Sequence, residues 1–434
     1  MVILEGLSIT LSENNKRFNS FLNMEQYLFI NGSESVQVQK EADGKINVFI
    51  DGKKVDEDQF KDALIDREAF AKQAQRNKYR KFLNKQFENL VILTGAGSSV
   101  GIGANDKDGK EKKGRLLSHL WDDVETKYTK AKLKKFCELV HYTAKDSKGE
   151  YVKNLESLLS MANAAKEYVA DKDIDIKTMI DEIQQLIKTS CELVLPDDAP
   201  HLPFLEKITK RKVTLPRVKV FTLNYDTLFE QAALKKNFTL IDGFSFSFPR
   251  YFSGRNFDYD IVLRDSSRVK EEDNFVTRVL HLYKPHGSVD WEKTDRGIKQ
   301  SEKVSKALMI YPKDSKYESS YEQPFFEMMA RFQQSLRKEN VMLVCIGFSF
   351  NDKHVVTAIQ EALEQNPSFQ IMLVNKNIKD DGPLKWLYDL SFKHSNICLI
   401  SEEFKDFAEN YPDLKTYNQD EFRAIKINLP ESHE

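Results

Sequence analysis

The sequence predicts an α/β fold, a doubly wound and mainly parallel sheet with an inserted helical segment and a small β-rich extension ahead of it. Two observations carry that expectation. Short apolar runs at 90–94, 218–222, 279–283, 341–346, 371–374 and 398–400 alternate with helical stretches, the rhythm of βαβ units. Several of these runs end in Gly, Asn, Ser or His, and open parallel sheets place their ligands at the ends of strands.

Each element follows in order. Val36 and Val38, then Ile46, Val48 and Ile50, alternate with other residues around Asp43-Gly44, and Asp51-Gly52 follows. Asp-Gly between alternating apolar residues is a hairpin signal. Residues 57–88 are charged and free of Gly and Pro, which fits a connecting helix, broken once. Residues 104–114 are polar, charged and glycine-bearing, so a mobile loop is expected there, placed as a lid would be. From 115 to about 195 the pattern is helical. Residues 243–275, rich in Phe, Tyr, Ser and Asp, look irregular, and the tail after Pro412 is polar. This divides the chain into an extension at 1–85, a main domain at 86–410 carrying the helical insertion 115–210, and a tail at 411–434. The extension reads as an oligomerisation or docking device, or as a simple structural addition.

Composition narrows the function. The 434 residues carry 65 basic and 67 acidic side chains, a net charge of −2, so nothing demands nucleic acid or an anionic membrane. No apolar run reaches the ~18 residues of a membrane span. Met1-Val2-Ile3-Leu4-Glu5 lacks the basic start of a secretory signal. Cys137, Cys191, Cys345 and Cys398 are scattered, with no paired spacing, so neither a disulfide framework nor a cysteine-zinc site is expected. The expectation is a cytoplasmic protein with no metal.

Five polar clusters stand at strand ends. Gly95-Ala96-Gly97-Ser98-Ser99 follows the first apolar run, with Gly101 and Gly103 behind it. Glycines there permit a tight turn and close backbone approach to a pyrophosphate. The spacing departs from G-x-G-x-x-G, and no acid ends a second strand to hold an adenine ribose, which counts against an ordinary dehydrogenase. Thr222-Leu223-Asn224-Tyr225-Asp226 follows the second run, where Asn224 could equally cap the next helix. Lys284-Pro285-His286-Gly287-Ser288 presents a histidine in a turn, a general-base candidate near neutral pH. Gly347-Phe348-Ser349-Phe350-Asn351-Asp352 and Asn375-Lys376-Asn377 end two later runs. Singly, each is also an ordinary strand-to-helix turn.

Together and in this order the clusters resemble the sirtuin superfamily, whose Rossmann-like domain has a Gly-Ala-Gly-x-Ser loop, an Asn-x-Asp element, a His-Gly turn, a Gly-x-Ser strand end and a late Asn. The resemblance spans about residues 88–405. The two cysteine pairs of the deacylases' zinc ribbon are missing, and Gly101-Ile102-Gly103 leads into a charged loop where those enzymes have Gly-Ile-Pro-Asp-Phe-Arg. Gly347 through Asp352 and His286 through Trp291 are similar instead to divergent bacterial sirtuin-like domains of anti-phage defence.

That resemblance implies an NAD glycohydrolase releasing ADP-ribose and nicotinamide on infection. It implies that Gly95, Ala96, Gly97, Ser98, Ser99, Gly347, Ser349 and Asn375 bind NAD, which is the substrate. It implies that Asn224, Asp226 and His286 are catalytic, with Asp226 alternatively orienting the loop. It further implies a homo-oligomer and a defence partner such as a HerA-like ATPase, with no membrane and no direct nucleic-acid contact. Three alternatives remain open: an NAD-dependent deacylase, an ADP-ribosyltransferase, and a non-catalytic nucleotide-binding assembly module.

Overall fold

A computed structural model describes residues 24–60, 66–85, 87–105, 109, 111–262, 275–310 and 323–413. The readings made of 1–23, of the middle of the 104–114 loop, of 263–274 and of the tail beyond 413 lie outside the described residues.

The alternating N-terminal residues form an antiparallel meander: β1 (Met24–Asn31), β2 (Glu34–Lys40), β3 (Ile46–Ile50) and β4 (Lys53–Lys54). The link from β3 to β4 is Asp51-Gly52, with φ of +50° and +74°. Two positive φ values in a two-residue link match the right-handed twist of the strands, and Asp-Gly tolerates them. β1 was not legible in the sequence. The connecting segment holds a 3₁₀ turn at Glu57–Phe60 and, beyond residues 61–65, which lie outside the described residues, the helix α1 (Arg67–Leu83). Asp66 caps α1 by accepting from the Glu68 amide.

The core then runs through β5 (Asn89–Thr94) and five helices: α2 (Leu117–Tyr128), α3 (Lys130–Leu139), α4 (Leu155–Ala165), α5 (Ile176–Cys191) and α6 (His201–Thr209). It continues with β6 (Lys219–Thr222), α7 (Leu228–Lys235), β7 (Thr239–Ile241), β8 (Val279–Tyr283), β9 (Gly287–Ser288), β10 (Trp291–Thr294), β11 (Gly297–Gln300) and β12 (Leu308–Met309). The last stretch is α8 (Phe325–Leu336), β13 (Val341–Ile346), α9 (Lys353–Gln365), β14 (Gln370–Asn375), α10 (Lys385–Ser391), β15 (Ile397–Ser401) and α11 (Phe404–Asn410). β7 and the short strands β9 to β12 were also unforeseen, being too brief or too polar to stand out.

One sheet of eleven strands gathers most of this, in the order β4-β3-β2-β1-β15-β14-β13-β5-β6-β8-β7. From β15 to β7 every pairing is parallel, and β1 joins antiparallel to β15 with Phe29 opposite Ile400. The N-terminal meander therefore extends the same sheet. Strands buried on both faces explain the unbroken apolar runs. Leu90, Ile92, Met342 and Val344 pack on one face with residues of α1, α6, α7 and α11. Val91, Leu93, Leu343 and Cys345 pack on the other with residues of α8, α9 and α10. This is the Rossmann-like, doubly wound α/β architecture that the sequence predicts.

Strand order reverses between β5 and β13. The chain leaves β5 towards β6 on one side and leaves β13 towards β14 on the other. The crossovers run in opposite directions and their helices lie on opposite faces, α6 on one and α9 on the other, and the turns after β5 and β13 part at this point to open a crevice. Helices α2 to α5 build a separate apolar cluster around Trp121, Phe136, Leu158 and Ile183, which takes in Tyr225 and Val289 from the site side.

Among the described residues, no helix is long and apolar enough to cross a membrane. The ends of the 104–114 loop are tied, with Val100 bridged to Gly114 and Asn105 to Glu111.

Candidate functional site at the switch point

The crevice opens into a cavity of about 1420 Å³, above the ~300–1,000 Å³ of ordinary small-molecule sites. Gly95, Ala96, Gly97, Ser99, Asn224, Asp226, His286, Gly347, Ser349 and Asn375 all line it. Four segments far apart in sequence thus converge with the glycine turn, as the strand-end reasoning expects. Ser98 does not line the cavity. It is buried beneath, its hydroxyl donating to the Gly95 carbonyl at 2.9 Å.

The floor is a contact between two turns. The Gly97 amide donates to the Gly347 carbonyl at 3.0 Å, and the Gly95 amide to the Ile346 carbonyl at 3.0 Å. Gly347 has φ of +61°, a conformation that glycine adopts without penalty. Asn375 ties in the next strand by donating from its side-chain amide to the Phe348 carbonyl at 3.0 Å. Ser349 is exposed at the mouth and accepts from Asn351.

Asn224 does not cap α7. Its side-chain amide donates to the Gly95 carbonyl at 3.0 Å, to Ser98 Oγ at 3.1 Å and to Ser99 Oγ at 2.8 Å. It braces the glycine turn from β6. The helix contact belongs to Asp226, whose Oδ1 accepts from the Leu228 amide at 3.1 Å while Oδ2 accepts from Ser99 Oγ at 2.7 Å. Asp226 is buried, so this carboxylate is committed to the protein on both oxygens.

Asp352 repeats the device on the other side of the switch point. Its Oδ1 caps α9, accepting from the His354 amide at 2.9 Å and the Val355 amide at 3.3 Å. Its Oδ2 lies 2.9 Å from His286 Nε2. Burial alone would lower the His286 pKa, yet the hydrogen bond and charge of Asp352, with the charge of Glu156, hold it above its ordinary value of 6.5. Burial likewise pushes the Asp352 carboxyl up, and the bond to His286 outweighs that and holds it low. The pair is an oriented imidazole with its partner carboxylate, suited to taking a proton inside a cavity.

Two further groups, Lys284 inside the His286 cluster and Glu156 outside every cluster, are not among the site residues expected from the sequence. Lys284 is buried behind the turn, its Nζ donating to the Asp226 carbonyl and to Glu230 Oε1, the latter at 2.9 Å. Burial would lower its pKa, but Glu230, Asp290 and Asp226 keep it above the ordinary lysine value and so charged. Glu156, from the first turn of α4, also lines the cavity and accepts from the Tyr225 hydroxyl at 2.8 Å. Asp352 carried a signal, an Asp just before a helical pattern. Glu156 carried none, because only tertiary packing brings α4 over the strand ends.

Residues 218–387 match the family model described as a SIR2-like domain. No curated protein matches the chain. The matched stretch holds Asn224, Asp226, His286, Gly347, Ser349 and Asn375, while the glycine turn at 95–99 precedes it. The match supports a sirtuin-like domain on this sheet.

Proposed function

We propose that the chain binds NAD across the switch point and hydrolyses its N-glycosidic bond, giving ADP-ribose and nicotinamide. The observation that carries this reading is the convergence of the glycine cradle, Asn224 and the His286–Asp352 pair on one cavity. The turns at 95–99 and 347–349 offer backbone at the closest approach, which suits a pyrophosphate. Asn224 spends its amide on the cradle, which leaves its carbonyl oxygen for a ribose hydroxyl or a water.

In the step itself the bond from C1′ to the nicotinamide nitrogen breaks, and its electron pair neutralises the pyridinium ring. Positive charge develops at C1′. A water oxygen bonds to C1′ and gives its proton to His286, whose ring Asp352 orients and stabilises as the imidazolium. Oriented dipoles already in place around the reacting carbon lower the barrier to such charge development.

An NAD hydrolase left active would drain its own cell, so the reading includes control. The chain serves as a regulated effector of anti-phage defence, held as a homo-oligomer or switched by a partner such as a HerA-like ATPase. Product analysis tests the chemistry. Free ADP-ribose equimolar with nicotinamide supports hydrolysis, whereas ADP-ribose found on protein or nucleic acid would make the chain a transferase.

A further inference from the structure

Glu156 belongs to the helical insertion, yet its carboxylate enters the cavity that the strand ends build. Asn154 starts α4 by accepting from the Ser157 amide at 3.0 Å, and this fixes Glu156 in the first turn. The Tyr225 hydroxyl holds Glu156 Oε1 at 2.8 Å. Tyr225 stands between Asn224 and Asp226, and its carbonyl accepts from the Val289 amide at 3.0 Å and from Ser288 Oγ at 3.3 Å. Those two residues follow directly on His286 and Gly287. One tyrosine thus links the Asn224 segment, the His286 turn and the insertion. The apolar cluster of α2 to α5 closes around the same Tyr225 and Val289, so the insertion is seated on the site by packing as well as by this bond.

We propose that the insertion completes the active site and that Glu156 is a further catalytic residue, its carboxylate contacting the nicotinamide ribose and placing negative charge beside C1′ as that carbon becomes cationic. The inference rests on the proposed NAD cleavage and deepens it. It gives the three acids of the site different duties. Asp352 is spent on His286 and the α9 amides, and Asp226 on Ser99 and Leu228. Among these three carboxylates Glu156 is the one whose hydrogen bonds to the protein leave an oxygen over for a ligand.

Burial, with the Asp352 charge adding to it, holds the Glu156 carboxyl above its ordinary range, and the His286 ring and the Tyr225 hydroxyl offset only part of that. A cationic nicotinamide ring or C1′ arriving in that setting shifts the balance towards the ionised form. The attraction between a fixed negative charge and developing positive charge strengthens as the transition state forms, so it raises kcat more than it tightens binding.

The test is Glu156→Gln, which keeps shape and hydrogen bonding but loses the charge, with Tyr225→Phe as a milder disturbance. Both are measured in a form of the protein whose wild-type chain releases nicotinamide from NAD. The expected result for Glu156→Gln is a fall in kcat of about 100-fold, with KM and melting temperature close to wild type and ADP-ribose still bound. Tyr225→Phe should fall less. A Glu156→Gln variant that cleaves NAD at the wild-type rate overturns the inference while leaving the proposed function standing. A variant that loses ADP-ribose binding and melting temperature together makes Glu156 structural and overturns it equally. If the wild-type chain releases no nicotinamide in any form, the proposed function falls first. The placement of Glu156 is then judged by the imidazole titration of His286, faced by Asp352 and Glu156. Loss of the Glu156 charge must lower that pKa, and an unmoved titration refutes the placement.

Discussion

Gly97 and Gly347 occupy each other's side-chain space. A Cβ added to Gly347 would stand 2.4 Å from the Gly97 Cα, and one added to Gly97 would stand 2.6 Å from the Gly347 Cα. The turns after β5 and β13 can touch only because both positions are glycine, and that contact forms the floor of the cavity. Gly347→Ala must therefore push the turns apart against a left-handed backbone as well. The expected cost is about 1–3 kcal/mol of stability together with loss of nucleotide binding, read by thermal melting and by calorimetric titration with ADP-ribose.

Asn224→Ala removes three hydrogen bonds to the glycine turn without opening an apolar cavity. The fold should survive with a loss of about 1–3 kcal/mol, while kcat/KM for NAD falls by at least about 100-fold. Steady-state kinetics on a variant of verified melting temperature check this. Activity within a few-fold of wild type would remove Asn224 from the mechanism.

Features of short range along the chain are legible in the sequence, and contacts between distant segments are not. The parallel strands announced themselves because burial on both faces leaves unbroken apolar runs such as 341–346. The polar clusters at their ends marked the site, since strand ends are where a parallel sheet exposes its turns. The division of labour was hidden. Asn224 and Asp226 both stand before a helix, and nothing local says that Asp226 meets the α7 amide while Asn224 braces a turn more than a hundred residues away. The pairing of the meander at 24–54 with β15 left no local mark, because it is a contact between chain segments far apart. Glu156 sits in an amphipathic helix like any other until the insertion folds over the strands.

The pH profile follows from the His286–Asp352 pair. A base acts when deprotonated, so kcat/KM should rise with pH through the His286 pKa, with a midpoint above 6.5 because that pKa is raised. Asp352→Asn removes the anion that stabilises the imidazolium, so the midpoint should move down and the plateau should fall. The linkage to stability has the opposite sense in pH. The raised His286 pKa contributes stability that is full below its unfolded value near 6.5 and lost as pH rises through the folded value. A midpoint unchanged in Asp352→Asn would sever the pair from the chemistry.

Lys284 tests the scaffold rather than the reaction. Replacing it with Met leaves Glu230 and the Asp226 carbonyl without their buried cation. Breaking one side of a buried pair costs about 3–5 kcal/mol, whereas replacing both with apolar residues is far milder. Denaturant unfolding of Lys284→Met should show the large loss, and Lys284→Met with Glu230→Leu should recover much of it. Equal stabilities for the single and double variants would contradict the account of this pair.

Nicotinamide release from NAD is the decisive measurement, comparing the purified wild-type chain with His286→Ala, each alone and with a HerA-like ATPase as the proposed partner. Wild type is expected to release nicotinamide and ADP-ribose in equal amounts in at least one of these forms. His286→Ala, melting as wild type does, is expected to release neither. Intact NAD after incubation with the wild-type chain in every form, or release by His286→Ala at the wild-type rate, would contradict it.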